Sequence, residues 1–99
     1  MPLYISLMKL TDQGSKDIMN APARVADAVK LYEKMGGKVI GLYVVMGEYD
    51  YIGIGEGPSD EMQAAFSLAI CSQGNVKTTT FKAFPANEMP AILKKLPKP

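Results

Sequence analysis

Two apolar runs meeting at a four-residue break constrain this chain more than any other feature. Val39-Ile40-Gly41-Leu42-Tyr43-Val44-Val45-Met46 precedes Gly47-Glu48-Tyr49-Asp50, and Tyr51-Ile52-Gly53-Ile54-Gly55-Glu56 follows it. Both runs are β-branched and aromatic, and both have strand length. A hairpin here leaves two halves of similar pattern on either side.

In the first half, Leu3 to Leu10 alternates Leu3, Ile5 and Leu7 with Tyr4, Ser6 and Met8, the period of a strand. Thr11-Asp12-Gln13-Gly14 breaks it. Ser15 to Met35 reads as helix, with Asp12 or Ser15 capping a first turn or two and Asn20 a second start. Pro22 sits early in the main helix, where its missing N–H costs little; a helix continuous from Ser15 would kink there. Ile18, Val25, Val29 and Tyr32 share one helical face. Gly36-Gly37 ends it.

In the second half, Gly57-Pro58-Ser59 ends the hairpin, and Ser59 caps a helix running to about Gln73. Met62, Ala65, Phe66, Ala69, Ile70 and Gln73 mark its expected inner stripe. Gly74 closes it, and Asn75 to Phe84 is the last strand, favoured by Thr78-Thr79-Thr80. Pro85 stops that strand. Asn87 caps a short helix to about Lys95, and Pro97-Lys98-Pro99 is an irregular tail.

The order βαββαβ plus a terminal helix predicts one α+β domain over residues 1–99. Its plan is the ferredoxin-like split βαβ: a four-stranded antiparallel sheet, order 4-1-3-2, with helices on one face. Alternation separates two sheet faces. The aliphatic set Leu3, Ile5, Leu7, Ile40, Leu42, Val44, Ile52 and Ile54 is assigned to the helix side. Tyr4, Ser6, Met8, Gly41, Tyr43, Val45, Tyr51, Gly53 and Gly55 fall on the other. Residues paired across an antiparallel hairpin share a face. Val44 should therefore oppose Ile52 and Tyr43 oppose Gly53, through an odd Gly47-Glu48-Tyr49 loop or a nearby bulge. The tyrosine-rich face carries almost no charge in the central strands. It is therefore expected to be covered by a second copy, giving a homodimeric α/β barrel or higher even oligomer.

Composition removes several classes of function. There is no histidine and one cysteine, Cys71, which excludes an intramolecular disulfide and argues against a His/Cys metal site or a histidine base. Eleven basic residues nearly balance ten acidic ones and are spread along the chain, against a nucleic-acid surface. No apolar run reaches membrane-spanning length, and Met1-Pro2-Leu3-Tyr4 lacks the pattern of a secretory signal. The expectation is a cytoplasmic protein that uses neither membrane, metal nor cofactor.

At Gly47-Glu48-Tyr49-Asp50 the sequence resembles the GYD family of small bacterial and archaeal proteins. Tyr4-Ile5-Ser6-Leu7, Thr11-Asp12-Gln13-Gly14, Pro22 with Arg24, Gly36-Gly37-Lys38 and Gly74-Asn75-Val76-Lys77-Thr78-Thr79-Thr80 extend the likeness over residues 3 to about 96. Lys77 stands where arginine is as readily expected. The resemblance implies a ferredoxin-like fold of the dimeric α/β-barrel kind. Proteins of similar architecture include cofactor-free monooxygenases, isomerases and ligand-sensing domains, a fold analogy that assigns no activity.

The candidate ligand-binding residues are Tyr4, Ser6, Tyr43, Tyr51, Lys77 and Thr79, for a small apolar or aromatic ligand at the tyrosine-rich face. Tyrosines bring both an apolar ring and a hydroxyl to a pocket, and the same rings also serve interface packing. Lys77 suits an anionic group, or a solvated sheet edge. Asp50 and Tyr49 are the catalytic candidates for a cofactor-free oxygenase or isomerase. Asp50 equally suits a turn residue accepting backbone N–H bonds. A structural assembly module with no ligand is the third alternative.

Overall fold

In the computed structural model, which describes residues 1–98, eight elements follow one another. They are β1 (Leu3–Leu10), α1 (Asp12–Lys16), α2 (Ala21–Lys34), β2 (Lys38–Val44), β3 (Tyr51–Glu56), α3 (Asp60–Ser72), β4 (Val76–Ala83) and α4 (Met89–Leu93). Short 3₁₀ turns at Ile18–Asn20 and Ala86–Glu88 lead into α2 and α4. The sheet order is β2-β3-β1-β4, with every neighbouring pair antiparallel. This is the expected 4-1-3-2 order read from the opposite edge, and the fold is ferredoxin-like α+β. Pro99, the last residue of the expected irregular tail, lies outside the described residues.

The helix starts follow local chemistry, with several differences from the sequence reading. Asn87 caps no helix: it lies inside the 3₁₀ turn at Ala86–Glu88, and α4 starts at Met89 without a side-chain cap and ends at Leu93. Thr11, not Asp12 or Ser15, caps α1: its hydroxyl oxygen accepts the Gly14 N–H at 3.1 Å. Thr11 also donates to the Gly74 carbonyl at 2.6 Å, so one hydroxyl caps α1 and ties it to the start of β4. No single helix spans residues 15–35; the chain restarts at Ala21, which leaves Pro22 in the first turn of α2 with no kink to impose. Asn20 precedes α2 without capping it, and its amide donates to Asp17 Oδ1 at 2.7 Å instead. Ser59 caps α3 as expected, accepting the Met62 N–H at 3.1 Å.

The hairpin register departs from the expected one. Val44 opposes Tyr51 and Tyr43 opposes Ile52, with residues 45–50 forming the connection and Val45 N–H bonded to the Asp50 carbonyl at 2.9 Å. The irregularity lies earlier, at Ile40, between the Val39–Gly55 and Gly41–Ile54 pairs. That extra residue reverses the facing of everything after it in β2. Leu42 and Val44 therefore share the face of Gly53 and Tyr51, while Gly41 and Tyr43 join Ile52 and Ile54. Tyr43 covers Gly41 of its own strand, where an added Cβ would lie 2.9 Å from the ring, rather than the cross-strand Gly53.

The two faces of the central strands are also exchanged relative to the sequence reading. Helices α2 and α3 cover Tyr4, Ser6, Met8, Tyr51, Gly53 and Gly55, whereas Leu3, Ile5, Leu7, Ile52 and Ile54 lie on the face away from them. The reason is volume. The helices themselves bring Tyr32 and Phe66 to the sheet, their rings 4.8 Å apart edge to face. The sheet must then be small where the Tyr32 ring rests on it, at Gly55. Tyr32 is 4% exposed, and a Cβ on Gly55 would meet its hydroxyl at 2.8 Å and its ring at 2.9 Å. The stripe of α3 that faces the cavity is correspondingly Gln63, Phe66, Ser67 and Ile70, with Ala65 exposed and Gln73, also exposed, just past the helix end.

Gly55→Ala should therefore destabilise the protein by about 1–3 kcal/mol, because the aromatic ring it meets is pinned. Gly53→Ala should cost less, since its Cβ would meet the flexible Met8 Cε at 3.3 Å and Leu42 Cδ1 at an ordinary contact of 3.6 Å. Urea unfolding of the two variants tests the order.

Candidate functional site

The small residues of β1 and β3 leave space between the sheet and its two helices. A cavity of about 130 Å³ runs there along the strands. β1 supplies Tyr4, Ser6 and Met8 to its floor, because alternation turns these three to the helix side. Tyr51 and the backbone of Gly53 and Gly55 continue the floor from β3. Val25, Val29 and Tyr32 of α2 and Phe66 and Ile70 of α3 form the roof. The surroundings are mostly apolar, with a few polar groups at the two ends.

At the end near the start of α3, Tyr32 donates its hydroxyl proton to Gln63 Oε1 at 2.7 Å. Tyr4, 4% exposed, donates to Asp60 Oδ1, and Lys82 lies 3.2 Å from the same carboxylate oxygen. Burial and the Asp60 partner push the Tyr4 hydroxyl up to about 12. Burial, with the nearby Glu56, raises that of Tyr32. Both phenols are thus neutral donors at pH 7. Asp60 is held below the usual carboxylate range, first by the Tyr4 hydrogen bond and then by Lys82.

At the other end, Arg24 reaches the cavity from the first turns of α2. Its guanidinium donates to the Asp17 carbonyl at 2.7 Å and the Gly14 carbonyl at 3.0 Å, and pairs with the Asp17 carboxylate at 3.3 Å. It thereby clamps the segment between α1 and α2 shut over this end. Ser6, in the middle of the floor, shares a hydrogen bond of 3.0 Å with Thr80 of β4, which also meets Ser67 of α3 at 3.3 Å.

The residues singled out from sequence divide between two faces. Tyr4, Ser6 and Tyr51 line the cavity between sheet and helices. Tyr43, Lys77 and Thr79 lie on the open face, Tyr43 on one edge strand and the other two on the opposite edge, about 14 Å apart across three strand spacings. Lys77 stands directly opposite Lys9. Asp50 is bound into the sheet: its Oδ2 accepts the Leu10 N–H and its own N–H donates to the Met8 carbonyl, at 2.8 and 2.9 Å. Tyr49, half-buried, sits in the connection before it. Tyr32, Gln63 and Arg24 were absent from the sequence candidates. For Tyr32 the signal was its place on the inner stripe of α2 together with the Gly53, Gly55, Gly57 alternation. Nothing in the sequence singles out Gln63.

The family model of the GYD domain matches residues 4–93. The chain belongs to the GYD-domain family. A protein of Thermus thermophilus named "Glutamine synthetase and cystathionine beta-lyase binding protein" is 34% identical over 95 residues, 95% of this chain and all of that one. A crystallised Thermus thermophilus protein shares the fold with a TM-score of 0.56 at 22% identity, over 87% of this chain and 96% of its own. The leucine response regulatory protein of Mycobacterium tuberculosis does so with a TM-score of 0.56 at 19% identity, over 86% of this chain and 51% of its own. These two likenesses concern the fold alone. Within this GYD domain, the signature segment holds the hairpin to β1, and the cavity lies on the helix side of the sheet. No helix of the described residues is long and apolar enough to cross a membrane.

The raised tyrosines predict the alkaline behaviour. A hydroxyl held protonated by the fold contributes stability that is complete below about pH 10 and lost as pH rises towards the folded value. Urea midpoints measured from pH 9 to 11.5 should fall in the parent and fall less steeply in Tyr4→Phe. The depressed carboxyl works in the opposite sense: its contribution is present above the ordinary carboxylate value and lost as pH falls through the folded one. The acid limb of the same titration should be flatter in Asp60→Asn.

Proposed function

We propose that this GYD domain acts as a homo-oligomeric, cytoplasmic binding module. In this reading the chain folds as one domain, takes a small apolar or aromatic ligand between sheet and helices, and associates with itself through the open face of the sheet. The cavity carries the ligand reading. Its volume of about 130 Å³ is that of a site for a single ring. Tyr4, Ser6 and Tyr51 lie on one wall of it, so three of the candidate ligand residues would act there. Lys77, Thr79 and Tyr43 would belong instead to the association surface.

The open face supports self-association. Ile5, Leu7, Ile52 and Ile54 occupy its centre, and Tyr43 and Phe81 are 56% and 50% exposed at its margins. Four strands of six residues make a face of about 400 Å², apolar at its centre and bordered by Lys9, Lys77 and Thr79, and an exposed apolar centre of this kind marks an interaction surface. A stable interface needs about 800 Å² from each partner. The segment after β4 can supply the remainder, since Phe84, Met89, Leu93 and Leu96 are all more than half exposed. The chain as a whole is elongated, with a radius of gyration of 15.4 Å against about 13 Å for a compact chain of this length. Two sheets packed face to face would form the dimeric α/β barrel.

The Thermus relative supports a second reading, docking on another protein, because its name records binding to two enzymes and it aligns with 95% of this chain. The same exposed segment would serve. A proton-transfer enzyme receives less support: Asp50 is engaged with Leu10, and the cavity phenols hold their protons.

Native mass spectrometry of freshly purified protein tests the reading. The expected result is a dimer or higher even oligomer carrying a small adduct. Ile5→Lys, which places a charge opposite Ile54 and Phe81, should yield a folded monomer by circular dichroism and size-exclusion chromatography. A monomeric parent would overturn the role given to the open face.

A further inference from the structure

Gln63 is the one buried polar residue of the described chain, 5% exposed on the inner side of α3. Its Oε1 accepts the Tyr32 hydroxyl proton, and its amide nitrogen has no protein partner among the described residues. A primary amide carries two N–H donors, and sealing them away unpaired costs more than a made hydrogen bond returns. Yet among the described residues every buried side-chain nitrogen or oxygen shut off from water-sized space has a partner. Gln63 Nε2 therefore opens on free space, and Gln63 lines the cavity.

The direction of the Tyr32 bond sets what Gln63 can offer. A phenol has one proton, and this one is committed to Oε1. The amide thus presents donors to the cavity, and the group that meets them must accept. Its neighbours add two further limits. Tyr32 and Phe66 pack beside it as apolar walls. The carboxylates at this end, Glu56 beside Tyr32 and Asp60 bound by Tyr4, already have cations of their own: the N-terminal ammonium lies 3.9 Å from Glu56 and Lys82 3.2 Å from Asp60. Arg24, which could neutralise an anion, lies at the opposite end of α2 and is engaged by Asp17 and the Gly14 carbonyl.

Resting on the ligand reading above, we infer that the cavity selects a neutral, single-ring or similarly small apolar compound carrying one hydrogen-bond acceptor, a carbonyl oxygen for preference, which Gln63 Nε2 binds. Tyr32 is the positioning residue that fixes the polarity of the amide. A hydrocarbon of the same size leaves the donors unmet, a phenol brings a proton to a site that already supplies one, and a carboxylate would lose its hydration in an apolar cavity whose neighbouring cations, Lys82 and Arg24, are already paired.

The test is calorimetric and ligand-detected NMR titration of the full chain with toluene, benzaldehyde, phenol and benzoate. Benzaldehyde should bind about tenfold more tightly than toluene, the range one neutral hydrogen bond spans, and more tightly than phenol or benzoate. In Gln63→Leu/Tyr32→Phe, which removes both partners and orphans neither, that gap should close to within about threefold while toluene binding persists. Equal binding of toluene and benzaldehyde by the parent would overturn the role of Gln63 and leave the ligand site standing. A preference for phenol would overturn the assigned polarity. Failure of all four probes to bind would remove the ligand reading itself, and this inference with it. The parent series decides even where the double variant does not fold.

Discussion

The seat of Tyr32 against glycine backbone is the contact on which the rest of this structure depends. The ring leaves α2, lies over Gly55 of β3 and beside Gly37 ahead of β2, and ends in a hydrogen bond to Gln63 of α3. One side chain therefore sets the height of α2 over the sheet, the spacing of α2 from α3 and the emptiness of the sheet beneath. An added methyl at Gly37 would lie 2.4 Å from the ring, so the approach requires that neither position carry a side chain. Where Tyr32 and Phe66 do not reach, the missing sheet volume remains as the cavity. The close packing at one end and the free space in the middle have the same cause.

That arrangement makes the sheet two-sided. Aromatic rings from the helices meet glycine and serine on one face, and the branched aliphatic residues are left for the other. A face carrying Ile5, Leu7, Ile52 and Ile54 is the one that benefits from a partner, and it continues into the exposed apolar residues after β4. The proposed association surface and the cavity lie on opposite sides of one sheet.

The Gly47-Glu48-Tyr49-Asp50 segment has a structural account of its own. Gly47 has φ +116, a conformation that side chains resist. It lets the chain turn so that Asp50 returns beside β1. There Asp50 bonds Met8 and Leu10 through main chain and carboxylate together. Leu10 is the last residue of β1, beyond the reach of the ladder to β3, whose pairing ends at Met8 and Tyr51. The carboxylate supplies the acceptor the ladder no longer provides. A family signature can thus mark the closing of a sheet.

Local sequence determined the elements and their order. Period-two alternation in Leu3–Leu10, the Ser59 cap, Gly36 and Gly74 at the helix ends and the βαββαβ succession were all legible, because each rests on interactions within a few residues. The sheet order followed from that succession. What the sequence left undetermined was which face of the sheet the helices cover. Alternation gives two faces and is silent on which one is inside. The answer came from Tyr32 and Phe66, distant in sequence from the glycines they cover, and from one bulged residue at Ile40 that turned Tyr43 to the other side. Asp50's partner, Gln63's open amide and the cavity likewise exist only once segments far apart in the chain are brought together, since a pocket is a property of packing and no single segment encodes it.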